Sequence, residues 1–127
     1  MKEGVIMKIA ITATGTTLEN DVDSRFGRCP YFIIADPDTM EYEYLDNASA
    51  QAGGGAGIAA AQTIVEKGVE AVLTGNCGPN AYNVLSPAGI KVITGVSGRI
   101  ADVIEDYKEG RYKESAEANV SSHHGKS

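Results

Sequence analysis

The sequence predicts an α/β domain in which helices cover both faces of one mixed sheet. Three observations predict it: short apolar runs that leave no face for water, a hairpin signal early in the chain, and strand-helix alternation in the second half. A chain of 127 residues suits one domain, since single domains commonly run to about 100–200 residues.

Val5, Met7, Ile9 and Ile11 alternate with compact residues such as Ala10 and Thr12, the pattern of a central strand covered on both sides, over residues 5–13. After a polar loop, Tyr31-Phe32-Ile33-Ile34-Ala35 is rich in β-formers, Asp36-Pro37-Asp38-Thr39 reads as a turn, and Glu41-Tyr42-Glu43-Tyr44-Leu45 alternates strictly. These make a hairpin whose second strand is an edge. Beyond Asn47, the run Gly53-Gly54-Gly55-Ala56-Gly57 opens a helix with Ile58, Ala61, Ile64 and Val65 on its inner side, stopped by Gly68. Ala71-Val72-Leu73 is then a buried strand, residues 79–87 a short helix begun by Pro79, and residues 90–93 another buried strand. Ile100, Val103, Ile104 and Tyr107 fall at i, i+3, i+4 and i+7, with Ser97 as the expected N-cap and Gly110 as the stop. Residues 1–110 are thus expected to form the domain. Residues 111–127, ending Ser121-Ser122-His123-His124-Gly125-Lys126-Ser127, lack apolar periodicity and are expected to form a flexible tail.

Composition narrows the function. The net charge of −6 opposes attraction to nucleic acid or anionic lipid, which depends on clustered Lys and Arg. No apolar run approaches the roughly 18–20 residues that span a bilayer, and Lys2, Glu3 and Lys8 interrupt any secretory leader. A cytoplasmic setting is expected, in which Cys29 and Cys77 stay reduced. Catalytic constellations are missing from the pattern. The first strand has no carboxylate for a two-metal nuclease, no GxSxG elbow occurs, and both histidines lie in the tail. A non-catalytic binding protein is expected.

In open α/β sheets ligands bind outside the carboxyl ends of parallel strands. Three loops lie there: the one containing Thr14, the glycine run Gly53, Gly54, Gly55 and Gly57, and Thr74-Gly75-Asn76-Cys77-Gly78-Pro79-Asn80. They predict one polar, glycine-walled pocket, with Asn76, Gly78 and Asn80 contributed by the third loop. Glycines at a helix start let backbone N–H groups approach an anion, although the run lacks the Lys-Ser/Thr of a P-loop and a linker has the same composition. Cys77, ahead of a helix, reads either as a thiolate ligand for a soft metal or as a small hydrophobe packing the turn. Cys29, with Arg25 and Arg28 beside it, carries the same two readings. His123 and His124 are candidate imidazole ligands or part of a solvated tail. Asp21 and Asp23 read better as turn formers than as a hard-metal pair.

These residues resemble a family. Met7-Lys8-Ile9-Ala10-Ile11, Val22-Asp23-Ser24-Arg25-Phe26-Gly27-Arg28-Cys29-Pro30-Tyr31-Phe32, the glycine-rich helix start, Thr74-Gly75-Asn76-Cys77-Gly78-Pro79-Asn80-Ala81 and Ala88-Gly89-Ile90 are together similar to the dinitrogenase iron-molybdenum cofactor biosynthesis family, over about residues 7–110. The resemblance implies a three-layer ribonuclease H-like motif, with a five-stranded mixed sheet in the order 3-2-1-4-5 and strand 2 antiparallel, without ribonuclease chemistry. It also implies a carrier of an iron-sulfur or iron-molybdenum type cluster, working with cluster-assembly proteins or an ATPase. The chain looks like a stand-alone member. Arg25 stands where cofactor-carrying members often have His before the Phe-Gly. Two other functions remain open: a regulatory protein-interaction module using the edge strand at residues 41–45, and a small phosphate- or nucleotide-dependent enzyme using the glycine loop.

Overall fold

The structure is a computed structural model and describes residues 7–48 and 55–112. Its elements are β1 (Ile9–Ala13), β2 (Tyr31–Ala35), β3 (Tyr42–Asp46), α1 (Ala56–Lys67), β4 (Ala71–Leu73), α2 (Pro79–Leu85), β5 (Lys91–Ile93) and α3 (Ile100–Lys108). The five strands form one sheet in the order β3-β2-β1-β4-β5. β1 runs antiparallel to β2 and β2 antiparallel to β3, while β4 pairs in parallel with β1 on one side and β5 on the other. This is the three-layer mixed sheet that the sequence predicts.

Alternation along the strands divides the core in two. Ile9, Ile11, Ile33, Leu73 and Ile93 pack with Ile100, Val103 and Ile104 of α3. The opposite side-chain set, Ala10, Phe32, Ile34, Val72 and Val92, packs with Ala60, Ala61 and Ile64 of α1 and with Ala81 and Leu85 of α2. Every residue of β1 is buried, as a strand between two helical layers must be. β3 is mostly exposed and lies at the sheet edge. No helix among the described residues is long and apolar enough to cross a membrane.

Several boundaries differ from the sequence reading. β1 starts at Ile9; residues 5 and 6, placed in it by pattern, lie outside the described residues. β3 is shifted one residue along, α2 stops at Leu85 rather than residue 87, and β5 begins at Lys91. Ile58 does not face the core. It is 37% exposed, and α1 buries Ala56, Ala60, Ala61 and Ile64 instead. The N-cap of α3 is Arg99, not Ser97, because neighbouring backbone does the capping: the N–H groups of Ile100 and Ala101 donate to the carbonyls of Asn20 and Leu18, each at 2.9 Å. Arg111 and Tyr112, assigned to the tail by the sequence, are still held. Arg111 N–H donates to Asp106 O at 3.0 Å, and Tyr112 packs against the α3-side core. The remaining residues of the expected tail, including His123 and His124, lie outside the described residues, as do Gly53 and Gly54.

Candidate functional site

The carboxyl ends of β1 and β4 carry a buried polar knot that shapes the loops above them. Thr12 Oγ1 donates to Asp23 O at 2.6 Å and lies 2.9 Å from Thr74 Oγ1. The Asp23 carboxylate, nearly buried, accepts from Arg25 N–H at 2.9 Å and from the Arg25 guanidinium at 3.1 and 3.2 Å. That partner holds the Arg25 pKa above its ordinary value, through the hydrogen bond and then the charge. Asn76 ties the same loop to β4: its Nδ2 donates to Ser24 O at 3.0 Å, and its carbonyl accepts from Phe26 N–H at 3.1 Å. Gly75 permits the approach, since a Cβ there would lie 2.8 Å from Ser24 Cα.

These contacts deliver residues 26–28 to the start of α1. Gly27 rests on Gly57 so closely that a Cβ would lie 2.9 Å from Gly57 Cα and 3.0 Å from Gly57 N. Gly55, the N-cap of α1, has φ +82°, a left-handed conformation that favours glycine. Among the described residues no side chain caps α1, and its first turn contains no acidic residue. Residues 26–28, 55–58 and 78–81 together enclose an open cleft of about 310 Å³. Among the described residues lining it, Arg28 is the one charged side chain and none is a carboxylate. First-turn N–H groups of a helix lack intrahelical partners and carry partial positive charge. The lining therefore combines a cation, a helix N-terminus and the apolar surfaces of Phe26, Ala56, Ile58, Pro79 and Ala81.

Of the site residues expected from sequence, Arg28, Gly55, Gly57, Gly78 and Asn80 come together in this cleft. Thr14, Arg25 and Asn76 do not line it. They hold the loop above β1 and β4, Thr14 by accepting from Asp21 N–H at 3.2 Å and the other two as described above. The thiols are elsewhere too. Cys29 and Cys77 are fully buried in the core layer under α1 and α2, neither in a disulfide. Of the two readings of Cys77, this burial favours the small hydrophobe packing the turn, and it pushes the thiol up to about 11. Cys29 is pushed up to about 12, by burial first and then by the Asp23 carboxylate, and its S–H donates to Phe26 O at 3.3 Å. Removal from water outweighs the dipole of a two-turn helix. No three of His, Cys, Asp and Glu converge on one point among the described residues. Sequence reasoning misses Phe26, Gly27, Ile58 and Ala81 as lining residues: Phe26, Gly27 and Ala81 lie within the family motif without an assigned role, and the helical pattern places Ile58 inward.

Fold and cleft define a small α/β domain of the ribonuclease H-like motif, with an open cleft where the starts of α1 and α2 meet the loop before β2. The chain belongs to the dinitrogenase iron-molybdenum cofactor family, whose pattern matches residues 7–110. The orange protein of Desulfovibrio gigas, solved in its apo form, superposes with a TM-score of 0.86 at 38% identity, covering 93% of this chain and 100% of that one. A Thermotoga protein with a provisional NifB assignment superposes with a TM-score of 0.73 at 37% identity, covering 85% of this chain and 92% of that one. An uncharacterized protein of Methanocaldococcus jannaschii is 29% identical over 110 residues, 84% of this chain and 93% of the relative.

Proposed function

We propose that this chain is a non-catalytic carrier that holds an anionic iron-sulfur or iron-molybdenum type cofactor in the cleft at the N-terminus of α1, for exchange with cluster-assembly proteins or an ATPase. The observation that carries the reading is the lining itself: among the described residues it holds Arg28, a first turn of α1 with no side-chain cap, and no carboxylate, in a chain whose net charge is −6. An acidic protein that keeps carboxylates out of one cleft favours an anion there. Family membership supplies the cofactor class. The cluster is held by charge, amide N–H groups and apolar contact, and brings its own sulfur. Cys29 and Cys77, buried and protonated, serve the core.

The test is anaerobic reconstitution with iron and sulfide, with and without molybdate, followed by metal analysis and visible absorption. Wild type and Cys77→Ala are expected to take up stoichiometric metal, and Arg28→Gln to lose most of it. Absence of a bound cluster in wild type refutes the carrier reading; its loss in Cys77→Ala returns the thiolate to the site. One observation favours a second reading. The outer edge of β3 is exposed and displays Tyr42 and Tyr44, so that strand offers a pairing surface to a partner protein. Capture of a native partner by wild type but not by a Tyr44→Pro variant supports that role.

A further inference from the structure

The Arg28 peptide is held by a residue that is not in the cleft. Asn47 follows β3, and its backbone N–H donates to Pro30 O at 3.0 Å. Its side chain is turned inward and the residue is only 8% exposed. There the Nδ2 group donates to Gly27 O at 3.1 Å and to Cys29 O at 2.8 Å. Those are the carbonyls on either side of Arg28. A carboxamide NH2 has two hydrogens and both partners only accept, so the amide orientation follows from the chemistry. Aspartate here would set an oxygen against two carbonyl oxygens, and serine has one hydrogen to give. On its other side the loop meets α1 at the Gly27–Gly57 contact. The segment bearing Arg28 is thus gripped between Asn47 and the first turn of α1.

We infer that Asn47 is the positioning residue of the anion site. It acts through Arg28, fixing the stretch of backbone from which that side chain lines the cleft before the ligand arrives. This rests on the cleft being the anion site proposed above. A pre-set backbone lowers part of the ordering cost that binding otherwise carries, and the grip on both flanking carbonyls restricts the peptide from outside the cleft lining.

The experiment is a double-mutant cycle read by spectrophotometric titration with tetrathiomolybdate, a dianion containing molybdenum and sulfur. Wild type, Asn47→Ser, Arg28→Gln and the double variant are titrated at two salt concentrations, with urea midpoints measured alongside. Arg28→Gln is expected to weaken binding about tenfold and to flatten its salt dependence. Asn47→Ser is expected to weaken it by about threefold to tenfold, and the double variant to bind no more weakly than Arg28→Gln alone. Independent, additive losses, or an Asn47→Ser variant that binds like wild type, overturn the positioning role and leave the cleft reading standing. Failure of wild type to bind overturns the cleft reading and the positioning role with it. The unsubstituted protein gives a second measure that does not depend on the variant folding. The Asn47 side-chain NH2 protons are expected to exchange slowly with solvent before ligand is added, and rapid exchange overturns the inference.

Discussion

Replacing Gly27 with alanine tests how tightly the cleft is assembled. The added Cβ would lie 2.9 Å from Gly57 Cα, 3.0 Å from Gly57 N and 3.4 Å from the Ala56 carbonyl carbon. All three are backbone atoms, so no side chain can rotate aside. Comfortable carbon contact is about 3.5–4.0 Å, and the loop or the helix must therefore retreat by roughly 0.6 Å or more. α1 resists, because Ala60, Ala61 and Ile64 are locked in the core. The loop resists as well, through Asn47 on Gly27 O and Cys29 O. Overpacking of this kind costs about 1–3 kcal/mol, and each kcal/mol lowers Tm by roughly 3–6 °C in a domain of this size. Gly78→Ala is the stability control: a Cβ there meets nothing within 4 Å and φ is −76°, so its stability should stay within about 0.5 kcal/mol of wild type. Urea unfolding of the two variants and wild type decides the matter. A Gly27→Ala midpoint equal to that of Gly78→Ala would refute the close approach.

The buried thiols predict an alkaline loss of stability. Both pKa values are raised in the folded chain, so the folded state holds these protons more tightly. Their contribution is full below the unfolded thiol value of about 8.5 and is lost as pH rises through about 11 for Cys77 and about 12 for Cys29. The urea midpoint should fall above pH 9, and less steeply in a Cys29→Ala/Cys77→Ala variant; equal slopes would count against thiol burial. Iodoacetamide at pH 8 should label neither thiol in the native protein and both in urea, whereas rapid native labelling would place a thiol at the surface. Tyr107 Oη–H donates to Glu70 Oε2 at 2.7 Å, joining α3 to the start of β4. Tyr107→Phe should therefore cost about 1 kcal/mol, and an unchanged midpoint would show that this bond contributes nothing.

The elements of the fold were legible because each advertises its period. Ile100, Val103 and Ile104 are buried as their spacing requires, and the β1 pattern of large and small residues matches two helical layers. Starts and stops were less legible, because distant backbone sets them. The first amides of α3 are capped by the carbonyls of residues 18 and 20, which no local rule reveals. Helix α1 shows a different failure: hydrophobicity favoured Ile58 for the core, whereas close packing selected the small residues Ala56, Ala60 and Ala61. The gathering of Gly55, Gly57, Gly78 and Asn80 around one cleft is legible from the rule for parallel-strand ends. The thiols carry two readings in the sequence, activated ligand or packing residue, and burial, a property of the finished fold, favours the second. Arg25 and Arg28 look alike in sequence. Only the structure shows that Asp23 engages the first while the second lines the cleft.

The most direct test of the carrier account is to locate the ligand by NMR, comparing amide shifts of the apo protein with those of anaerobically reconstituted protein. The account predicts that the largest changes fall on Arg28, Gly55, Gly57, Ile58 and Asn80, with residues 42–46 unmoved. Changes centred on Cys77 and the interior of α2 would return the thiolate to the site, and changes confined to residues 42–46, or none, would contradict the account.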